Sequence, residues 1–300
     1  MKILVTGAHG FLGRSLLDLV GEMEWVGCGR SAESVSPCPY FQIDLQNSDA
    51  VTELLEEVRP DWVINTAALT NVDQCEEDRD LARQVNLDPV GHLVSACKRV
   101  DAGLVQLSTD YVFDGDGGPY TEKDEPNPLS HYGRLKLDGE QLVLEGSARA
   151  IVVRTLWLYG YVPQAHPNFV TWALGALHRN DHLKIFDDQW GNPTYIHDLA
   201  RSLIGLCSHN ARGLFHMGGV TFMTRYDLAL ELAGFFDLDA GLIEPIATRA
   251  AGLKAKRPLR SGLSTDALEA ELERRPLSFT EGLEHMVRQE SFRRDFPHFS

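Results

Sequence analysis

Short apolar runs alternate with amphipathic stretches through the first half of the chain. Residues 3–5 read as a strand, and residues 11–20 as a helix with Leu12, Leu16, Leu17 and Val20 on one face. Residues 25–28 form a second strand. A helix over 51–58 stops at Arg59-Pro60, because the residue before a proline avoids helical geometry. Strands over 62–65, 104–107 and 151–154 follow, separated by a long helix over 80–99 and another over 130–144. Continuous apolar strands spaced by helices predict a parallel sheet covered on both faces. Right-handed crossovers make that sheet doubly wound.

Beyond about residue 160 the rhythm loosens. Helices are expected over 168–177, 196–206, 226–236 and 280–289, with Gly/Pro-containing loops over 187–194 and 255–262. The expectation is a sheet domain over 1–160 and a smaller substrate-binding region over 161–300, with an interdigitated boundary. The smaller part belongs beside the carboxyl ends of the strands, where open α/β sheets bind ligands.

The length of 300 residues and a 43% hydrophobic content are ample for a buried core. The net charge of −15 repels phosphodiester backbones, which argues against nucleic acid as a partner. Local arginines and helix N-termini can still bind a small anion. Cys28, Cys38, Cys75, Cys97 and Cys207 show neither disulfide nor zinc-ligand spacing, so reduced thiols and a cytoplasmic location are expected. The eleven histidines are scattered, and no metal is assigned. No run of about 18 apolar residues exists, and the chain starts on a strand without a charged leader, so neither a membrane span nor a signal segment is expected.

Gly7, Gly10 and Gly13 follow the first strand and open the first helix. Gly7 suits a tight turn, Gly10 a close approach to pyrophosphate, and Gly13 close helix–strand packing. His9, Phe11 and Leu12 complete that loop and helix start, whose N–H groups favour phosphate. The second strand ends in Arg30-Ser31, where arginine can meet a 2′-phosphate. NADPH is therefore expected, with NADH as the alternative. Asp44 and Leu45 are placed for the adenine edge, and Ala67 and Ala68 offer small residues where a dinucleotide must pass.

Tyr132 and Lys136 are four residues apart on one helix, so both address one site. A nearby ammonium stabilises phenolate and moves a phenol toward useful general acid–base chemistry. The preceding strand ends in Ser108-Thr109-Asp110, which puts hydroxyls at the sheet's carboxyl edge.

Together, Gly7 to Gly13, Ser108/Thr109 and Tyr132/Lys136 resemble the extended short-chain dehydrogenase/reductase family, which has a Rossmann-type sheet. The run Ser108-Thr109-Asp110-Tyr111-Val112-Phe113-Asp114-Gly115 resembles the dTDP-4-dehydrorhamnose reductases more closely. So do Pro128 to Lys136, Asp188 to Thr194, and Arg257-Pro258. The resemblance implies that Thr109 hydrogen-bonds a substrate carbonyl and Tyr132 donates the proton. Lys136 would hold the nicotinamide ribose and tune Tyr132. Trp157 would sit beside the sugar, and Asn168 with the stretch from Gln189 to Thr194 would enclose the nucleotide sugar. Asp110 and Asn86 match polar positions near the site. The implied reaction is reduction of the sugar's 4-keto group, as from dTDP-4-dehydro-L-rhamnose to dTDP-L-rhamnose. Some members dimerise through a metal whose ligands have no match here; a homodimer stays open.

The regulatory beta subunit of methionine adenosyltransferase resembles the chain too. The similar stretches are Trp25 to Arg30, Gly213 to His216 and Met223 to Tyr226. That resemblance implies an NADP-binding protein whose partner is a methionine adenosyltransferase. Thr109 fits the reductases, whereas the regulatory subunit carries serine there; another reductase or an epimerase of the extended short-chain family is the remaining alternative.

Overall fold

The computed structural model describes residues 1–19, 21, 23–34 and 38–299. Six strands come from the first half: β1 (Lys2–Thr6), β2 (Glu24–Gly29), β3 (Tyr40–Gln42), β4 (Trp62–Asn65), β5 (Gly103–Thr109) and β6 (Ala150–Thr155). They form a seven-stranded sheet with Gly213–Met217, in the order Gly213–Met217, β6, β5, β4, β1, β2, β3. Every pairing in it is parallel. The expected doubly wound α/β fold is present.

Alternation along the strands sets the two faces. Ile3, Val5, Ile64, Val105, Leu107, Ile151 and Val153 face the Phe11–Leu17 and Ile196–Ser208 helices. Leu4, Val63, Leu104 and Val152 face the Ser48–Val58 and Asp88–Val100 helices. Register is pinned by a buried polar row near the carboxyl ends. Thr6 Oγ1 donates to Asn65 Oδ1 at 2.6 Å, and Asn65 Nδ2 to Gln106 Oε1 at 2.8 Å. A one-residue slip would turn these groups to the wrong face and strand them without partners.

Some element bounds differ from expectation. The helix expected over 80–99 is two, Arg79–Asn86 and Asp88–Val100. Pro89 has no N–H to continue the first helix and instead sits in the first turn of the second. The Ser48–Val58 helix starts earlier than expected because Asn47 caps it, and it ends where Arg59 turns left-handed before Pro60. The first helix is described as Phe11–Leu17; Val20 lies outside the described residues.

The second half does not stay apart from the sheet. The Ile196–Ser208 helix and the Gly213–Met217 strand return to it, the latter beside β6. A second apolar cluster forms on the Phe169–His178, Arg225–Phe235 and Phe279–Arg288 helices and the Leu183–Phe186 and Ile243–Ile246 strands. Gly213–Met217 lacked a sequence signal because it is short and includes a histidine.

One buried ion pair fastens the His131–Gly146 helix to the sheet. Arg154 on β6 donates from Nε to Glu140 Oε1 at 2.9 Å and from Nη2 to Oε2 at 2.7 Å, and both side chains are 3% exposed. Ser108 on β5 also donates to Glu140. Arg154 Nη1 lies 3.3 Å from His216 Nε2, whose Nδ1 faces the Tyr120 carbonyl at 3.2 Å. Burial and the adjacent guanidinium push His216 down to about 3, so the ring is neutral and accepts from Arg154. Removing one partner leaves the other charge buried and unpaired. Arg154→Met should therefore cost roughly 3–5 kcal/mol of stability by urea unfolding. A loss under about 1 kcal/mol would place this pair with solvated surface bridges.

Candidate active site

The sheet order reverses between β1 and β4, and the crevice above that point is where the sequence-derived nucleotide residues meet. A cavity of about 340 Å³ is lined by Gly7, His9, Gly10, Arg30, Ser31, Asp44, Leu45, Ala67 and Ala68. Gly29, Ile43, Gln46, Thr66, Val85 and Pro89 also line it. Gln46, in the turn after β3, and Val85 and Pro89, on the helices after β4, carry no local signal that marks them as facing this cavity.

Gly7 has φ +63°, and a Cβ there would lie 2.9 Å from the Ala67 backbone. A Cβ on Gly13 would meet the Gly7 carbonyl oxygen at 2.3 Å. The loop is thus tight enough that side chains at these positions would fill the cradle. No side chain caps the helix that follows Gly10, so its first N–H groups remain for a ligand. His9 Nε2 is a buried nitrogen without a partner, on a residue that lines this cavity. These features fit the diphosphate and adenosine parts of a dinucleotide. Leu12 departs from expectation: its side chain is 6% exposed and belongs to the core, leaving only its backbone to meet a cofactor. Phe11 lines a different cavity, of about 310 Å³, which it shares with Asn168.

Thr109 ends β5 and its hydroxyl reaches Tyr132 at the start of the His131–Gly146 helix, with Lys136 one turn along that helix, each under 10% exposed. Ser130 caps that helix by accepting from the Gly133 N–H at 3.2 Å. Gly133 permits the close approach: a Cβ there would sit 2.1 Å from the Tyr111 carbonyl oxygen. Helix and Asp110–Val112 turn therefore touch backbone to backbone, which presses Tyr132 toward Thr109. Tyr111 and Tyr132 meet edge-to-face at 5.9 Å.

The electrostatics differ from the sequence expectation in one respect. Burial raises the Tyr132 phenol above its usual value, with Asp110, Tyr111 and Cys75 acting in the same direction and the Thr109 hydroxyl opposing them. Lys136 is not among these principal influences. Burial pushes Lys136 itself down to about 8, against the attraction of Glu140 one turn along. In the protein alone, the ammonium thus answers mainly to Glu140. Thr109 accepts from the Tyr111 N–H at 3.2 Å and donates to Asp110 Oδ1 at 3.0 Å, so its single proton is engaged by Asp110. Asp110 is 2% exposed and also accepts from Ser261; burial raises its pKa. Asn86 is engaged with the Leu69 backbone, accepting at 2.7 Å and donating at 3.0 Å, and so shapes the wall of the cleft.

The residues expected around a sugar divide. Trp157 is half-buried with φ +45°, a strained geometry for a bulky side chain and common at functional sites. Asn168 is committed to capping: Oδ1 accepts from Val170 and Thr171, and Nδ2 donates to the Gly160 carbonyl at 2.7 Å. Thr194 is fully buried, its hydroxyl donating to the Asn192 carbonyl at 3.2 Å, so its side chain is closed to a sugar. Gln189 is 6% exposed and bound to Thr248 and Arg225. All five cysteines are free thiols, and among the described residues no group of three His, Cys, Asp or Glu could hold a metal ion. No described helix is long and apolar enough to cross a membrane.

A dTDP-4-dehydrorhamnose reductase structure from Clostridium acetobutylicum superimposes with a TM-score of 0.86 at 36% identity, covering 96% of this chain and 98% of that one. A dTDP-4-dehydrorhamnose reductase from Bacillus anthracis, solved in complex with NADP, gives 0.85 at 30% identity, covering 95% and 98%. Methionine adenosyltransferase 2 subunit beta from Rattus norvegicus is 35% identical over 278 residues, 89% of this chain and 81% of that protein. Residues 1–292 match the RmlD substrate-binding domain, and the chain belongs to that family.

Proposed function

We propose that the chain is an NAD(P)H-dependent oxidoreductase that reduces the 4-keto group of a nucleotide-linked deoxysugar, of the dTDP-4-dehydro-L-rhamnose type. The observation that carries this reading is the meeting of Thr109, Tyr132 and Lys136 at the sheet edge, alongside a cavity built like a dinucleotide cradle. Its relatives named as reductases, one bound to NADP, support it.

The nicotinamide supplies the hydride when bound. Gly7, Gly10 and the open N–H groups beyond them would hold its diphosphate, and Arg30, exposed at the cavity rim, would meet a 2′-phosphate. Tyr132 gives its proton to the oxygen that gains charge as the carbonyl is reduced. The buried phenol is neutral and so holds the proton to be given, but burial alone makes it a weaker acid than the step prefers, and a positive charge beside it is needed to bring it down. Thr109 contributes a second donor once its hydroxyl turns from Asp110 toward the substrate, and stabilising the growing charge there lowers the barrier. Protonated Lys136 would hold the cofactor ribose and keep a positive charge near the phenol.

A second reading, an NADP-binding regulatory subunit of a methionine adenosyltransferase, is favoured by the 35% identity to the rat subunit. Loss of NADPH absorbance with dTDP-4-dehydro-L-rhamnose separates the two. Turnover supports the reductase, whereas no turnover together with co-purification of a methionine adenosyltransferase supports the regulator.

Tyr132→Phe should lower kcat by roughly 10²–10⁴-fold while sparing NADPH affinity; kinetics near wild type would remove Tyr132 from the acid role. The plot of kcat/KM against pH should fall as pH rises through about 8, because the working form of Lys136 is the ammonium present below that value. A profile without a limb in that region would show that its charge is not needed. Arg30→Ala should erode the preference for NADPH over NADH, measured as the ratio of the two kcat/KM values, and an unchanged ratio would assign the 2′-phosphate elsewhere.

A further inference from the structure

Arg225, the first residue of the Arg225–Phe235 helix, is held by a chain of polar contacts. Its backbone N–H donates to the Gln189 carbonyl at 3.0 Å, and its Nε to Gln189 Oε1 at 3.1 Å. Gln189 is fixed in turn, donating to Thr248 Oγ1 at 2.9 Å, and Thr248 donates to Asp188 Oδ1 at 2.6 Å. The guanidinium carbon lies 4.2 Å from the Trp157 ring centre and 5.6 Å from that of Phe169.

Among the described residues, no carboxylate comes within ion-pair distance of this guanidinium, and Gln189 receives its hydrogen bond at Nε alone. The groups whose fields reach it are Asp110, Tyr111 and Arg257. Asp110 is committed to Thr109 and Ser261. Arg257 repels Arg225, and is itself paired with Asp73 at 3.1 Å. Burial works against the charge, lowering the Arg225 pKa. A half-buried guanidinium whose two terminal nitrogens face no acceptor among the described residues is matched by a planar pair of anionic oxygens.

The geometry points to Arg225 as a specificity-determining residue that takes an oxyanion of the substrate beside Trp157. This rests on reading the cleft as a nucleotide-sugar site. Asp110 follows Thr109 directly and its field reaches Arg225, so the anion lies on the sugar side of the cleft. Two sources share that chemistry: the diphosphate next to the sugar, and a carboxylate on the sugar ring.

Wild type, Arg225→Met and Arg225→Lys are saturated with NADPH, which fills the cofactor's own diphosphate site. Each is then titrated calorimetrically with inorganic pyrophosphate, dTDP, glucuronate and thymidine. Arg225→Met should weaken pyrophosphate and dTDP together, or glucuronate alone, by about 10–100-fold, the first pattern identifying a diphosphate and the second a carboxylate. Thymidine affinity should not change, and Arg225→Lys should recover part of the loss, because it keeps the charge but not the planar fork. It also serves as the test variant if Arg225→Met does not fold. Equal oxyanion affinities in the three proteins overturn the inference, as does a wild-type protein that binds none of the three oxyanions. The readout is binding, so Arg225-dependent affinity in a protein that does not oxidise NADPH with dTDP-4-dehydro-L-rhamnose would defeat the reductase reading and leave this one standing.

Discussion

The pairing of Glu140 with Arg154 is the constraint on which the geometry of the candidate site depends. Glu140 belongs to the helix that carries Tyr132 and Lys136, Arg154 to β6, and Ser108 to the end of β5 just before Thr109. One carboxylate thus ties the helix to the two strands beside it. Desolvating both charges is costly, and an apolar replacement of the pair could be as stable. The pair's contribution is directional, because a forked guanidinium and a carboxylate meet in few orientations. Together with the backbone contact at Gly133, it sets both the rotation and the distance of the helix. The same carboxylate gives Lys136 its nearest favourable field, so position and protonation share one origin.

The nucleotide cradle depends on exclusion. The Gly7 loop and the Ala67 backbone are so close that any Cβ at residue 7 or 13 would displace backbone. What remains is a cavity whose walls come from the ends of β1, β2, β3 and β4 and from the helices after β4. His9 Nε2, a buried nitrogen with no protein partner on a residue that lines this cavity, is a polar group that a bound ligand could engage.

Much of this was legible in the chain. Strand runs such as 62–65 and 151–154 are continuous and apolar because both faces are buried, and the glycine spacing and the Tyr132/Lys136 pair are local patterns. The division of the 80–99 helix was marked by Pro89, yet the flanking residues keep helical periodicity on both sides, so the break was masked. Thr194 and Asn168 are right for sugar contacts by type, but a hydroxyl or amide pattern does not say whether its bonds are already made by neighbouring backbone. Arg225 had no local signal as a site residue. Its significance lies in the acid that is not beside it, and that requires three dimensions. The direction of the Lys136 field was also hidden, since Glu140 is equally spaced from it on the far side of Tyr132.

The return of the Ile196–Ser208 helix and the Gly213–Met217 strand to the main sheet has a mechanical consequence. The polypeptide passes between the sheet and the second apolar cluster several times, so no single connector can serve as a swivel. Widening the cleft would bend all the crossings at once, including the one at left-handed Trp157. Small sliding of packed helices is the motion such stitching allows, and large rigid-body opening is the one it resists.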